Sequence, residues 1–289
     1  MTNLIGIVVV FAMVFGGYTL AGGKFDIIIK ALPFEMMMIG GAALGAFLLA
    51  NDFGTVKHTG KDLGQVIKGP KWKPDDYRDL LCLLFELIRI LRQNPVSLEE
   101  HIEAPADSDV FARYPRILAD KEAVNLICDT LRSASMNYDD PHQVEEVLDK
   151  RVDASQHHAL HTSHALQVVA DGLPALGIVA AVLGVIKTMG SIDQPPEILG
   201  KLIGGALVGT FLGVFLAYGF VGPAANRLRA ITEEDAHFYR LIREVLVANL
   251  HNHPANICIE VGRQNTPGHL RPGFSDLEEA LQNVKRDAA

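Results

Sequence analysis

The chain has 289 residues, 49% of them hydrophobic and 21% charged, with a formal net charge of −8. This mixture excludes a disordered or fibrous chain, and a pI of about 5.7 argues against an overall basic nucleic-acid binder. Mean hydropathy is positive, at +0.19. The apolar residues are bunched into four blocks almost free of charge, the pattern of an α-helical membrane protein with cytosolic parts.

The first block is Leu4 to Leu20. Met1-Thr2-Asn3 supplies no basic side chain and three more blocks follow, so a secretory signal is disfavoured. The second runs from about Ala31 to Ala50, with Glu35 near its start. The third is Val168 to Met189, with Asp171 and Lys187 towards its ends, and the fourth is Ile198 to Phe220, with Lys201 near its start. Each is long enough to cross a hydrocarbon core of roughly 30 Å, and helices are the reasonable spanning form. Lys57, Lys61, Lys68, Lys71 and Lys73 follow the second block, and Arg227 and Arg229 follow the fourth. The positive-inside bias therefore puts both termini and residues 51–167 in the cytosol. The expected fold is all-α and polytopic, with four transmembrane helices and a helical cytosolic domain. Its segments are 1–50 (spans one and two), 51–167 (cytosolic helical domain), 168–223 (spans three and four) and 224–289 (cytosolic C-terminal helices).

In the cytosolic parts, Asp75-Asp76 open a helix that ends near Arg92, as the helix dipole favours. Asp79, Cys82, Glu86, Arg89 and Gln93 form its one polar stripe, and Asn94-Pro95 stops it. Ser97-Leu98-Glu99-Glu100 reads as a capping box. Asp140-Pro141 is a helix start with no breaker before Gly172-Leu173-Pro174, which predicts that the third span continues a long helix from about 141. The fourth is expected to run on from Pro223 to about His251, where Asn252-His253-Pro254 ends it. Ser275-Asp276-Leu277-Glu278 is expected to cap a last helix. Cys82, Cys128 and Cys258 are odd in number and widely spaced, and read as reduced, buried thiols.

Small residues concentrate on the fourth span, where Gly205, Gly209 and Gly213 make a doubled GxxxG and Ala217 extends the row. Gly177, Ala181 and Gly184 share a face of the third. Such spacing serves close helix packing, within the chain or between copies of it. No ionisable residue lies deep in the third or fourth span, where Thr210 is the one polar group; Asp171, Lys187, Lys201 and Glu35 read as peripheral. An ion-conducting chain of this kind is half of a pathway, with the titrating carboxylate on a partner helix. Pro174 and Pro223 sit at the cytosolic span ends, as hinges or as inert kinks. His157, His158, His161 and His164 read as a solvated face, since only Asp153 stands near enough to add to a metal set. No metal or other cofactor is expected. Without a phosphate loop, nucleophile elbow or zinc-protease motif, an enzyme is the least favoured reading. The lysines from Lys57 to Lys73 suit contact with anionic lipid.

The stretches Asp171–Val185 and Val208–Pro223 resemble spans three and four of the MotA family of flagellar stator subunits. Val14-Phe15-Gly16-Gly17-Tyr18 with Gly22-Gly23 resemble its first span. Phe111–Asp120, and Arg92-Gln93 followed by Ser97-Leu98-Glu99, are close to its cytosolic pattern. The resemblance covers residue 1 to about 285. It implies a ring of five chains in the bacterial inner membrane around two copies of MotB. The MotB transmembrane aspartate carries the ion, and the cytosolic helices meet the rotor protein FliG. By position, Pro174 and Pro223 correspond to coupling prolines, Thr210 to a pore-facing threonine, and Arg92 and Glu99 to a charged pair at the rotor. This chain differs from the best-known members by one residue between that pair, at Asn94-Pro95-Val96. As a plain surface pair the two are worth under about 1 kcal/mol. Sodium-driven relatives carry a hydroxyl where this chain has Ala181, whose methyl offers no oxygen ligand, so H⁺ is the favoured ion. Thr210 keeps a sodium-driven stator open as an alternative. An ExbB- or TolQ-like energiser is the other, although such relatives have three spans and lack a 51–120 block.

Overall fold

The computed structural model describes residues 2–135 and 141–287, and helix is the only regular secondary structure among them. In chain order these are α1 (Thr2–Leu20), α2 (Asp26–Ala50), α3 (Phe53–Lys68), α4 (Pro74–Gln93), α5 (Pro95–Glu103), α6 (Asp109–Ala112), α7 (Pro115–Leu118), α8 (Lys121–Ser135), α9 (Pro141–Met189) and α10 (Pro196–Leu216). A π-helical turn (Ala217–Val221) follows, then α11 (Gly222–Leu250), α12 (Ala255–Asn265) and α13 (Phe274–Asp287). Four helical stretches are long and apolar enough to span a bilayer, one for each block in the sequence. The chain forms two compact units: Met1–Gly69 with His158–Ile231, and Pro70–His157 with Thr232–Ala289. A division by membrane topology cuts elsewhere, at 50, 167 and 223, because α3 and the stretch from His158 cluster with the spans.

In the first unit, α2 lies against α10, and Ile39, Ala43, Leu173, Ala180, Leu212 and Ala217 form a small apolar core. Large apolar residues such as Val8, Met37, Leu49, Ile186 and Leu207 point outward, as lipid-facing positions do. Phenylalanines join α1 to α10: Phe11 lies 5.7 Å from Phe215 and Phe15 lies 5.4 Å from it, both edge-on. α3 has no counterpart among the helices expected from the sequence. Asp52 caps it by accepting from the Gly54 and Thr55 amides, and Gly69 closes it at φ 85, a conformation that favours glycine. Phe53, Leu63 and Ile67 are exposed on it beside Lys57, Lys61 and Lys68. This apolar-and-basic helix suits the membrane interface.

The long helices follow the sequence expectation. α9 runs unbroken through Pro174 for 49 residues, and α11 ends at Leu250, just before Asn252 at φ 60. The expected cap Asp140 lies outside the described residues. The π turn explains how the fourth span passes Pro223. A proline has no N–H, and its ring crowds the carbonyl four residues back. A widened turn relieves that crowding, and the Gly222 amide reaches back five residues to the Ala217 carbonyl.

The second unit is built around α4. Tyr77, Leu80, Leu81, Leu84, Leu87 and Ile88 are fully buried, and Trp72 stacks on Phe238 at 3.7 Å. The polar stripe is not a solvent face: Glu86 is only 4% exposed, and Cys82 is buried as expected of its thiol. Glu86 is tolerated because Arg113 is ion-paired to it. Burial pushes its carboxyl above the usual range, while Arg113 pulls the other way. The cap of α5 is Asn94, whose side chain accepts from the Ser97 amide, rather than Ser97 itself. Likewise α13 already begins at Phe274. All three cysteines are buried and unbridged, and burial pushes the Cys82 and Cys128 thiols up to about 12.

Removing one partner from a buried ion pair costs about 3 kcal/mol. Arg113→Met is expected to lower Tm accordingly, and adding Glu86→Gln is expected to return part of the loss. An Arg113→Met protein that melts like the wild type would show that the pair is not a support of this core.

Candidate functional site

The candidate pathway residues lie on α9 and α10, and the first question is how closely these helices approach. A Cβ built on Gly213 would lie 2.6 Å from the Leu173 carbonyl oxygen and 2.9 Å from the Gly177 Cα. One on Gly177 would lie 2.8 Å from the Gly209 carbonyl oxygen, and one on Gly184 would lie 2.6 Å from the Ala206 Cβ. The two helices therefore touch backbone to backbone along Gly177, Gly209 and Gly213, the geometry that small residues in membrane helices permit. Gly205, expected on the same packing face, meets open space. It lines a cavity of about 640 Å³ whose polar residues are Asp26, Lys30, Glu35, Lys187 and Lys201.

Glu35 corrects an expectation. α2 begins at Asp26, five residues before the apolar block, so Glu35 stands well inside the helix and is 5% exposed. A Cβ on Gly209 would come within 2.6 Å of its Oε2, and that oxygen has no hydrogen-bond partner among the described residues. It is therefore buried against the middle of α10 and not peripheral. The sequence signal is Asp26-Ile27-Ile28-Ile29, an acidic first turn followed by apolar residues, which starts the helix ahead of the block at Ala31.

Of the other candidates, Pro174 is half-buried within α9, Ala181 and Thr210 are half-buried, and Pro223 is exposed. His157, His158, His161 and His164 are all exposed. Arg92 and Glu99 are both exposed, on α4 and α5. Arg92 is held in place: its Nε and Nη2 donate to the Asn249 Oδ1 at 3.1 and 2.8 Å, and Nη2 also donates to the His253 carbonyl. Asn249 and His253 were missed because Asn252-His253-Pro254 reads in sequence only as a helix stop. No ion pair joins Arg92 to Glu99 among the described residues; each presents its charge separately.

The comparisons with known proteins agree with one another. Residues 4–95 match the model of the motility protein A N-terminal region, and residues 119–240 match that of the MotA/TolQ/ExbB proton channel family. The chain is 39% identical to motility protein A of Escherichia coli over 99% of its own length and 96% of the relative's. It is 34% identical to chemotaxis protein LafT of Vibrio parahaemolyticus over 97% and 98%. The fold is shared with the solved C. jejuni MotAB structure (TM-score 0.72, 17% identity, 92% of this chain and 96% of that one). It is shared also with the flagellar MotAB stator complex of Bacillus subtilis (TM-score 0.68, 21% identity, 96% and 98%).

Fold and site together define a polytopic α-helical protein of the bacterial inner membrane, of the proton-channel class. Within that class the chain belongs to the motility protein A family of flagellar stator subunits.

The α9–α10 contact makes a graded prediction. Gly213→Ala forces a methyl into backbone and is expected to cost about 1–3 kcal/mol, whereas Gly205→Ala enters open space and is expected to stay within about 0.5 kcal/mol of wild type. Thermal melting of the two purified variants checks it; equal losses would contradict the contact.

Proposed function

We propose that this chain forms, with a MotB-like partner, an ion channel that converts ion flow into torque on the flagellar rotor. The observation that carries the reading is the backbone-close pair α9–α10, whose membrane-depth polar group is Thr210, in a chain that aligns end to end with motility protein A. Such a pair supplies walls and an oxygen for a pathway, and the titrating carboxylate comes from the partner's transmembrane aspartate. Five chains surround two partner copies. Both termini and residues 51–167 lie in the cytosol, with residues 224–289. The cytosolic helices meet a FliG-like rotor protein through Arg92 and Glu99. The basic face of α3 lies on anionic lipid.

The ion is H⁺. Ala181 presents a methyl where a sodium path needs oxygen, while a proton needs only a titratable group and a hydrogen-bonded route. Each elementary charge crossing 100 mV releases about 2.3 kcal/mol. That is enough to shift a two-state arrangement of helices by about fifty-fold. Pro174 within α9 and Pro223 after the π turn are where such a change is passed on, because a helix that has already lost a backbone hydrogen bond bends at least cost there.

The test is swimming speed in a strain that lacks its stator and receives this chain with its partner. Speed is expected to be independent of Na⁺ at fixed pH and to vanish when the partner's aspartate becomes asparagine. Speed that rises with Na⁺ would keep the stator and overturn the ion. Failure to swim with a compatible partner and rotor would favour an ExbB- or TolQ-like energiser.

A further inference from the structure

We propose that His142, Glu145 and His251 form a binding site for one divalent transition-metal ion, of which Zn²⁺ is the natural occupant. His142 and Glu145 stand three apart in the first turns of α9, and His251 follows the end of α11. Their ligand atoms all lie within 4.8 Å of one another. The Glu145 Oε2 is 3.6 Å from the His142 Nδ1 and 3.6 Å from the His251 Nε2, and the two rings stand 5.1 Å apart and tilted by 61°.

Those distances suit a metal better than they suit each other. An N–H···O hydrogen bond spans about 2.7–3.2 Å, so neither imidazole is hydrogen-bonded to this oxygen at 3.6 Å. A tetrahedral zinc with bonds of about 2.0–2.1 Å places its ligand atoms about 3.3–3.4 Å apart. Two edges of that tetrahedron are already within a few tenths of an ångström, and small side-chain rotations close the third. A water completes the four.

The surroundings are arranged in support. The Arg243 Nη2 lies 3.8 Å from the other oxygen of Glu145, which turns Oε2 towards the histidines, as outer partners of metal ligands do. Arg243 also pairs with Asp149 and Glu244. One guanidinium thus stands among three carboxylates, so the local charge favours a dication. His142 is exposed and Glu145 and His251 are about one-third exposed, so an ion can enter. His251 sits between Asn249 and His253, the two residues that hold Arg92. A bound ion ties the start of α9 to that segment. Any effect on the rotor rests on the reading of Arg92 above; the site itself does not.

The experiment uses the tag-free, chelator-treated complex of the full chain with its partner at pH 7.5. Co²⁺ is titrated by its d–d absorption and Zn²⁺ by calorimetry. Three variants are compared with wild type: Glu145→Gln, His251→Gln, and one with His157, His158, His161 and His164 all replaced by alanine. One ion per chain is expected, with affinity at least tenfold weaker in the first two variants and unchanged in the third. Zn²⁺ is expected to raise the Tm of wild type but not of His251→Gln, whose metal-free Tm reports whether it folds. Absence of binding, or binding lost only in the variant of the exposed run, would overturn the site.

Discussion

The membrane unit depends on one close approach. At Gly177 and Gly213, α9 and α10 leave no room for even a methyl group. In lipid no hydrophobic force draws helices together, since the tails are as apolar as the side chains; dispersion between matched backbones has to serve. The apolar core of this unit is accordingly small, and most large apolar side chains of the spans face outward. Gly209 also makes the space that Glu35 occupies, so the same contact row that joins two spans admits the carboxyl of a third.

The second unit follows the opposite logic. There water drives burial, and α4 is enclosed on every side from Leu80 to Ile88, with Glu86 enclosed along with it. Arg113 makes that tolerable. The unit presents Arg92 through ties to Asn249 and His253 rather than as a free surface arginine. Three donated hydrogen bonds fix the direction in which that charge points.

Much of this was legible in the chain. The four spans stand out because twenty apolar residues in a row have few alternatives to a helix in lipid. The continuous α9 followed from the lack of a breaker before Gly172, and the end of α11 from Asn252-His253-Pro254. Two differences between pattern and structure share a cause. Asp26 and Glu35 are charged, which masks the early start of α2; Glu86 is polar, yet it lies within the packing of α4 and not on a surface. Glu35 is admitted by Gly209 and Glu86 by Arg113, so a neighbour from elsewhere in the chain sets an environment that the residue type alone does not indicate. Asn94 both ends α4 and caps α5. The row at Gly205, Gly209 and Gly213 was visible as a pattern, but spacing alone does not tell which two of the three touch α9.

The π turn has a further consequence, for the phase of the helix. Before it, buried positions recur as Ala206, Gly209, Gly213 and Ala217; after it, as Gly222, Ala225, Leu228 and Ile231. The steps are three or four residues everywhere except across the turn, where the step is five. The extra residue takes up an offset of about 100°, one residue's rotation in an α-helix, so that a single stripe stays inward on both sides of Pro223. The turn works as a spacer that lets two stretches of different register share one face. Loss of one residue within Ala217–Val221 would return the step to four and keep the stripe aligned, whereas the same loss anywhere in α10 would turn every upstream position away from its neighbours.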